Sequence, residues 1–169
     1  MKLPQIAKPN KFTAVITTAA TRLGIITDEQ QVWAIHFVAD NQPLQSASNA
    51  LTAEVIRQLD AFMRDPHHRF DLPLASQGTA FQQQVWQALR QIPSSCTRTY
   101  GSLAQELNTA ARAIGNACRR NPIPIIIPCH RIIARHHLGG FSGQTEGRFM
   151  AIKRWLLTHE QRSASDAST

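Results

Sequence analysis

The sequence predicts an α+β fold, with a small N-terminal α/β domain at residues 1–75 and a mostly helical C-terminal domain at residues 76–162. Three observations support this division. β-Branched runs dominate the first part, apolar residues at helical spacing dominate the second, and the charge changes between them. Residues 1–75 contain seven basic residues (Lys and Arg) and seven acidic residues (Asp and Glu). Residues 76–169 contain eleven basic residues and four acidic ones. The small polar residues 163–169 predict a disordered tail.

The strands of the N-terminal domain come first along the chain. Residues 11–19, 22–27 and 32–38 are rich in β-branched side chains and are separated by turn residues, which predicts an antiparallel meander. A helix is predicted at residues 51–63, where apolar side chains recur at helical spacing. Residues 70–74 are expected to add one more short strand.

Four helices are predicted in the C-terminal domain. The first follows Thr79, and Gln82 three residues later completes the capping-box pattern of a helix N-terminus. Two short helices are predicted at residues 100–107 and 110–120. Residues 145–160 are expected to form the closing helix, because their apolar side chains recur every three or four positions.

The two short helices have the pattern of a helix-turn-helix, since a tight turn joins them and the second carries three arginines. Plain packing of two short helices is the alternative. The second helix is also rich in small residues, including Ala113 and Gly115. Such a surface suits either close packing on another helix or contact with a DNA minor groove, which is about 6 Å wide.

The basic residues after residue 75 account for the whole formal charge of +7. A basic half beside a neutral half suggests a polyanionic partner such as nucleic acid. A solvated basic surface that serves solubility explains the same charge.

The three cysteines, Cys96, Cys118 and Cys129, are an odd number without metal-ligand spacing. This argues against a disulfide framework and against a zinc site. We therefore expect no metal, and a soluble protein in the reducing cytoplasm. The apolar runs are too short to span a membrane, and the N-terminal stretch is too short and too polar for a secretory signal.

One stretch concentrates reactive side chains: residues 121–133 read NPIPIIIPCHRII. A buried cysteine usually acts as a small apolar residue, but Cys129 is followed by His130 and Arg131, whose positive charge is expected to lower the thiol pKa. Adjacent residues on an extended chain point to opposite faces. We therefore expect a water to bridge Cys129 and His130, with Glu160 orienting the imidazole.

This stretch resembles the active-site signature of the O6-alkylguanine-DNA alkyltransferases, also called methylated-DNA–protein-cysteine methyltransferases. The resemblance covers about residues 78–160, whereas the N-terminal part is similar to the family only in its general α/β pattern. The blocks that carry it are GTAFQQQVWQAL, TYGSLA, ARAIGNA, NPIPIIIPCHRII and KRWLLTHE.

The resemblance implies a ribonuclease H-like N-terminal domain and a winged helix-turn-helix-like C-terminal domain. It implies direct repair of damaged double-stranded DNA, by minor-groove binding, base flipping and transfer of a methyl or other alkyl group from O6 of guanine, and from O4 of thymine, to Cys129. The product is a thioether without a polarised carbonyl for water to attack, so each molecule acts once. The implied protein is a monomer that can bind DNA cooperatively and needs no cofactor.

The resemblance also implies five catalytic residues. Cys129 is the alkyl acceptor, His130 is a base that acts through a water, and Glu160 orients His130. Tyr100 donates a proton to the departing guanine. Asn121 is a hinge between the recognition helix and the active-site loop.

The implied DNA contacts centre on Arg112, which enters the base stack and holds the flipped nucleotide out of the duplex. The other DNA contacts are expected from Tyr100, Ala113, Gly115 and Arg119.

The pocket for the flipped base is expected to include the Ile132 carbonyl and the Ser142 backbone amide. Phe141 stands where some family members have tyrosine, and Cys118 stands near a position often held by methionine. Both are expected to alter the tolerance of larger alkyl groups. Residues 143–150 form a longer segment than in many members, which affects the geometry beside the pocket.

Two other functions fit parts of the pattern. One is a DNA-binding module without chemistry, such as a transcription regulator or a lesion-flagging protein, and Cys129 argues against it. The other is a Cys-His hydrolase with turnover, which would need acyl-enzyme hydrolysis. Alkylation of Cys129 by one equivalent distinguishes alkyl transfer from both.

Overall fold

The computed structural model describes residues 8–162 and has the mixed α/β composition that the sequence predicts. The predicted tail at residues 163–169 lies outside the described part. The strands are β1 Ala14–Thr17, β2 Arg22–Thr27, β3 Val32–Phe37, β4 Arg98–Thr99 and β5 Ile132–Ile133, and the helices are α1 Ala50–Arg64, α2 Ala80–Arg90, α3 Tyr100–Glu106, α4 Ala111–Arg119 and α5 Arg148–Glu160, with a 3₁₀ turn at Cys129–Arg131.

The first three strands form an antiparallel sheet in the order β1-β2-β3, which confirms the predicted meander. Helix α1 packs on this sheet through Val55, Leu59 and Phe62, whose side chains are fully buried. Its first turn is capped by Asn49, whose side chain accepts a 2.8 Å hydrogen bond from the backbone N–H of Thr52. Burial of one apolar face therefore fixes the helix where its sequence periodicity predicts it.

The prediction of a strand at residues 70–74 is wrong. The structure has a single parallel bridge between Val32 and Leu74. The Val32 N–H donates to the Pro73 carbonyl at 2.8 Å, and the Ala75 N–H donates to the Val32 carbonyl at 2.9 Å. Pro73 has no N–H with which to extend a ladder, so the pairing stops at one bridge.

The C-terminal helices begin at the predicted capping box. Thr79 accepts a 3.1 Å hydrogen bond from the Gln82 N–H, and the Gln82 side chain accepts a 3.0 Å bond from the Thr79 N–H. From α2, the Trp86 indole N–H reaches the Ala117 carbonyl on α4 at 2.9 Å. Helix α4 also packs against α3, so three helices form one unit beside the parallel β4-β5 pair.

Helix α5 closes the fold, but it begins at Arg148, three residues later than the periodicity predicts. Gly147 precedes it with a φ of 78°, a left-handed conformation that favours glycine and delays the helix start. Its inner face buries Ile152 and Leu156. The helix therefore packs against the 3₁₀ turn that carries Cys129.

Hydrogen bonds join the N-terminal sheet and α1 to the C-terminal helices. The Ile35 N–H of β3 donates to the Pro122 carbonyl at 3.0 Å. His159 Nε2 on α5 lies 2.7 Å from the Phe62 carbonyl on α1. One cluster of buried apolar side chains runs through both parts. Within residues 8–162, none of the helices combines the length and the apolar character needed to cross a membrane.

Replacing Trp86 with phenylalanine should lower the free energy of unfolding by about 1–3 kcal/mol, because it removes the buried hydrogen bond from the indole N–H to the Ala117 carbonyl. Denaturant unfolding followed by circular dichroism measures this change. The matched control is Trp155→Phe, since the Trp155 indole is half-buried and its N–H makes no hydrogen bond within the described part of the chain. Equal losses in the two variants would contradict a stabilising role for the bond between α2 and α4.

Candidate active site

The Cys129 thiol lies at the end of a buried loop that Asn121 holds in shape. The Asn121 side chain donates a 2.7 Å hydrogen bond to the Ile127 carbonyl and accepts a 3.0 Å bond from the Ile123 N–H. Residues 123–130 are all buried, and Cys129 is only 7% exposed. Asn121 follows α4 directly, so it lies where the predicted hinge between helix and loop requires it.

The backbone at Cys129 is a 3₁₀ turn, and the expectation of an extended chain is wrong. The Cys129 N–H donates to the Ile127 carbonyl at 2.8 Å, and the Arg131 N–H donates to the Pro128 carbonyl at 3.0 Å. These local bonds curl the chain just after Pro128. Cys129 and His130 therefore need not point to opposite faces.

Glu160 at the end of α5 binds two residues of this turn. Its Oε1 lies 2.7 Å from His130 Nε2, and both side chains are buried. Arg131 donates to both carboxylate oxygens from Nε at 3.1 Å, and a further bond of 2.8 Å runs from its terminal nitrogen to Oε1. Burial raises the pKa of Glu160, but His130 and Arg131 outweigh that effect and lower it to about 2. The carboxylate is therefore ionised at neutral pH.

His130 is a neutral imidazole at neutral pH. Burial lowers its pKa, against the opposing pull of Glu160. When Nε2 donates its proton to Glu160, the other ring nitrogen, Nδ1, carries a free lone pair. Nδ1 is buried and has no hydrogen-bond partner among residues 8–162. This arrangement leaves Nδ1 available to accept a proton.

The Cys129 thiol is not activated by its sequence neighbours in the way that the basic run predicts. Burial raises its pKa, and a hydrogen bond to Asn121 and the charge of Lys153 act in the opposite direction. The expectation that His130 and Arg131 lower the thiol pKa is therefore wrong, because His130 is neutral and Arg131 is paired with Glu160. At rest the sulfur keeps its proton and needs a base.

Lys153 is a site residue that sequence reasoning missed. Its side chain is fully buried, and Nζ donates to the carbonyls of Ile132, Leu138 and Gly140 at 2.7, 2.6 and 3.0 Å. Burial lowers its pKa to about 8. A usable signal existed in the sequence, since Lys153 stands three residues before the buried Leu156 on the inner face of α5.

A cavity of about 250 Å³ opens beside the thiol. It brings together Cys129, Tyr100 and three of the predicted pocket residues, which are Cys118, Phe141 and Ser142. The fourth, Ile132, is fully buried and does not line the cavity. Its carbonyl, which was expected to read the base, already accepts a hydrogen bond from Lys153.

Tyr100 keeps its phenolic proton at neutral pH. Burial raises its pKa to about 12, and the nearby thiols of Cys118 and Cys129 add to that effect. The ring lies close to Gly139, where a Cβ would come within 2.9 Å of it. Tyr100 therefore lines the cavity as a neutral phenol.

Helix α4 carries the residues expected to contact DNA. Its buried side presents Ile114 and Ala117 to the core, while Arg112 and Arg119 are exposed and Ala113 is half-exposed. Gly115 and the exposed Arg119 also line the cavity beside the thiol. A second, more open groove of about 500 Å³ runs along the same helix, lined by Thr99, Tyr100, Gly101, Ala111, Gly115, Ala134 and Arg135.

The part of the chain that contains this site matches a known protein family. A family profile described as the DNA-binding domain of 6-O-methylguanine DNA methyltransferase matches residues 80–162. That range includes helices α2 to α5 and every residue of the Cys129 site described above.

Two relatives show how far the similarity extends. The constitutive methylated-DNA–protein-cysteine methyltransferase of Bacillus subtilis is 37% identical over 162 residues, which cover 87% of this chain and 95% of that protein. The methylated-DNA–protein-cysteine methyltransferase of Mycobacterium leprae is 48% identical over 114 residues, which cover 66% of each.

Solved structures agree with the sequence comparisons. The crystal structure of the O6-methylguanine methyltransferase of Mycobacterium tuberculosis matches with a TM-score of 0.74 and 30% identity, over 87% of this chain and 90% of that one. The structure of that enzyme in complex with DNA matches with a TM-score of 0.72 at 30% identity, over 87% of this chain and 91% of that one. The chain therefore belongs to the methylated-DNA–protein-cysteine methyltransferase family.

Proposed function

We propose that this protein repairs alkylated DNA by moving a methyl or larger alkyl group from O6 of guanine to the sulfur of Cys129. The observation that carries the proposal is the placement of that thiol. It lies in a cavity, and the residue after it is a neutral imidazole held by a buried carboxylate. Family membership supports the same chemistry.

Proton removal comes first in this mechanism. The thiol is a weaker nucleophile than the thiolate, and burial disfavours ionisation of the thiol. His130 Nδ1 accepts the proton through a bridging water, while Glu160 stabilises the imidazolium that forms. Lys153 and the hydrogen bond to Asn121 stabilise the thiolate.

Alkyl transfer then exchanges one bond for another. The sulfur lone pair forms an S–C bond, the C–O6 bond breaks, and its electron pair remains on the guanine. Tyr100 donates a proton to the purine so that it leaves as neutral guanine, and the proton held by His130 restores the phenol. The net change moves the thiol proton to guanine and leaves a thioether on Cys129, which has no route back to the thiol.

Helix α4 supplies the contact with DNA in this proposal. Together with α3 it acts as a helix-turn-helix pair, and Ala113 and Gly115 let the helix enter the minor groove closely. Arg112 fills the space of the flipped nucleotide and offsets a few kcal/mol of unstacking. O4-alkylthymine offers the same alkyl–oxygen bond and is a second substrate by this chemistry.

The N-terminal part, residues 1–75, acts as a scaffold in this proposal. Its strand β3 holds the start of the active-site loop through the bond between Ile35 and Pro122. Its helix α1 holds the end of α5 through Phe62 and His159. Both contacts flank the site, so the scaffold fixes the loop and Glu160 relative to each other.

Changing Cys129 to alanine should abolish alkyl transfer and keep the affinity for undamaged duplex DNA. Incubation with a duplex that carries O6-methylguanine, followed by mass spectrometry of peptides, measures the transfer. The wild type should gain one methyl group per molecule on the peptide that contains Cys129.

The matched control for this experiment is Cys96→Ala, because Cys96 is an exposed free thiol away from the cavity. That variant should react like the wild type. A methyl group on another side chain, or turnover beyond one equivalent, would refute the proposed acceptor or the single use.

The single-turnover rate should fall as the pH drops from neutral into the acid range. His130 must be neutral to accept a proton, and burial lowers its pKa from the ordinary 6.5. Protonation, and the loss of rate, should therefore have its midpoint below pH 6.5. Rapid-quench assays at saturating DNA measure this, with DNA affinity recorded across the same pH range. A midpoint above the ordinary imidazole value would be inconsistent with the buried base.

Replacing Lys153 with methionine should slow alkyl transfer by about 10²-fold, because the loop carbonyls lose their common donor and the sulfur shifts. The variant removes both the charge near the thiolate and the three hydrogen bonds. The single-turnover rate on O6-methylguanine duplex measures the effect.

The matched comparison is Arg154→Met, which removes an exposed charge from the same helix. That variant should transfer at the wild-type rate. Thermal unfolding of both variants separates a local effect on the loop from general loss of structure. An unchanged rate in the Lys153 variant would remove this residue from the mechanism.

A further inference from the structure

Another cavity, which we call the rear cavity, lies behind the active-site loop and has a volume of about 460 Å³. It shares no lining residue with the cavity at the thiol. Pro128 lines the rear cavity, while its neighbour Cys129 lines the cavity at the thiol. The two spaces are therefore distinct, and one short stretch of backbone contributes to the wall of each.

The floor of this rear cavity is apolar and buried. It is formed by Ile92, Ile125, Ile126 and Pro128. The half-buried ring of Phe70 adds an aromatic wall. Such a surface suits the hydrophobic body of a small organic ligand.

The rim of the rear cavity is cationic. Arg69 and Arg90 are exposed along it, and its lining contains no Asp or Glu. Arg131 also lines it, but its guanidinium is already bound to Glu160 and to the Ile92 carbonyl. Arg69 and Arg90 therefore have no acidic counter-charge among the residues that line this cavity.

Two of these cations are available for a ligand. Arg69 and Arg90 form no ion pair and no side-chain hydrogen bond with any residue in the range 8–162. Two further lining residues, His68 and Ser94, have a buried side-chain Nε2 and Oγ without a hydrogen-bond partner in that range. The rear cavity thus combines free donors with an apolar floor.

We propose that the rear cavity binds a phosphorylated small organic molecule of about the size of a nucleoside monophosphate. Arginine recognises phosphate with two parallel N–H donors, which assigns the phosphate to Arg69 and Arg90. The organic body packs on the isoleucine and proline floor. The volume falls within the usual range for small-molecule pockets, about 300–1,000 Å³. This binding is additional to the proposed alkyl transfer and does not depend on it.

In the rear cavity the ligand would contact Ile125, whose backbone is strained. Ile125 has a φ of 73°, which is a true outlier for a β-branched residue. Strain of this kind persists only where the surroundings hold it. Ile125 belongs to the loop between Asn121 and Cys129, so the ligand would pack on the reverse side of the loop that positions the thiol.

The test is calorimetric titration of the full-length protein with adenosine monophosphate. The wild type should bind it, whereas adenosine, which has no phosphate, should give no detectable binding. Arg69→Ala and Arg90→Ala should each weaken the affinity by about tenfold or more, since each removes a charge-assisted hydrogen bond.

Two control variants locate the ligand. Arg64→Ala removes an exposed arginine of α1 outside the rear cavity, and it should leave the affinity unchanged. Arg112→Ala removes a cation from the α4 face and should also leave it unchanged. Loss of binding in the Arg112 variant with retention in the Arg69 and Arg90 variants would place the nucleotide on the DNA face and overturn the proposal.

Other outcomes are equally decisive. Absence of binding by the wild type would overturn the proposal. Inorganic phosphate binding as tightly as adenosine monophosphate would show that the apolar floor contributes nothing, which would overturn an organic ligand. A wild type that ignores the nucleotide, with duplex DNA affinity that falls in the Arg69 and Arg90 variants, would assign the cations to the DNA backbone instead.

Discussion

The buried carboxylate of Glu160 is the interaction on which the rest of the site depends. It accepts hydrogen bonds from two consecutive residues of the 3₁₀ turn, His130 and Arg131, and it comes from the last turn of α5. A buried charge without partners would cost several kcal/mol, so the turn and the helix must stay together. This single requirement fixes the imidazole orientation, aligns the turn and joins the chain segments around residues 130 and 160.

Lys153 complements Glu160 from about two turns earlier in the same helix. Glu160 holds the turn that follows the thiol, while Lys153 gathers three carbonyls of the segment between Ile132 and Gly140. In the proposed mechanism the two charges act on different atoms: Glu160 stabilises charge on the imidazole, and Lys153 stabilises charge on sulfur. Helix α5 is thus the platform that sets both ends of the proton transfer. Burial raises the pKa of the thiol, so the sulfur keeps its proton at rest.

Local sequence signals predicted most of the fold, because the responsible forces are local. Strand β2 has the predicted bounds, and the capping box at Thr79 starts α2 as expected. The wrong predictions have tertiary or backbone causes. Pro73 limits the strand predicted at residues 70–74 to one bridge. Hydrogen bonds after Pro128 form a 3₁₀ turn where the sequence predicts an extended chain. Lys153 is buried only because distant carbonyls converge on it, and its type normally indicates an exposed residue. The contiguous motif around Cys129 was visible, whereas the electrostatics of its thiol depend on neighbours from another helix.

The separation between His130 and Glu160, thirty positions along the chain, has a consequence for biosynthesis. During translation the cysteine leaves the ribosome well before the final helix that completes its surroundings. A nascent chain holds the nucleophile without the carboxylate that orients its base or the ammonium group that supports the thiolate. The site of the proposed single-use chemistry is therefore complete only after Glu160 has joined the fold.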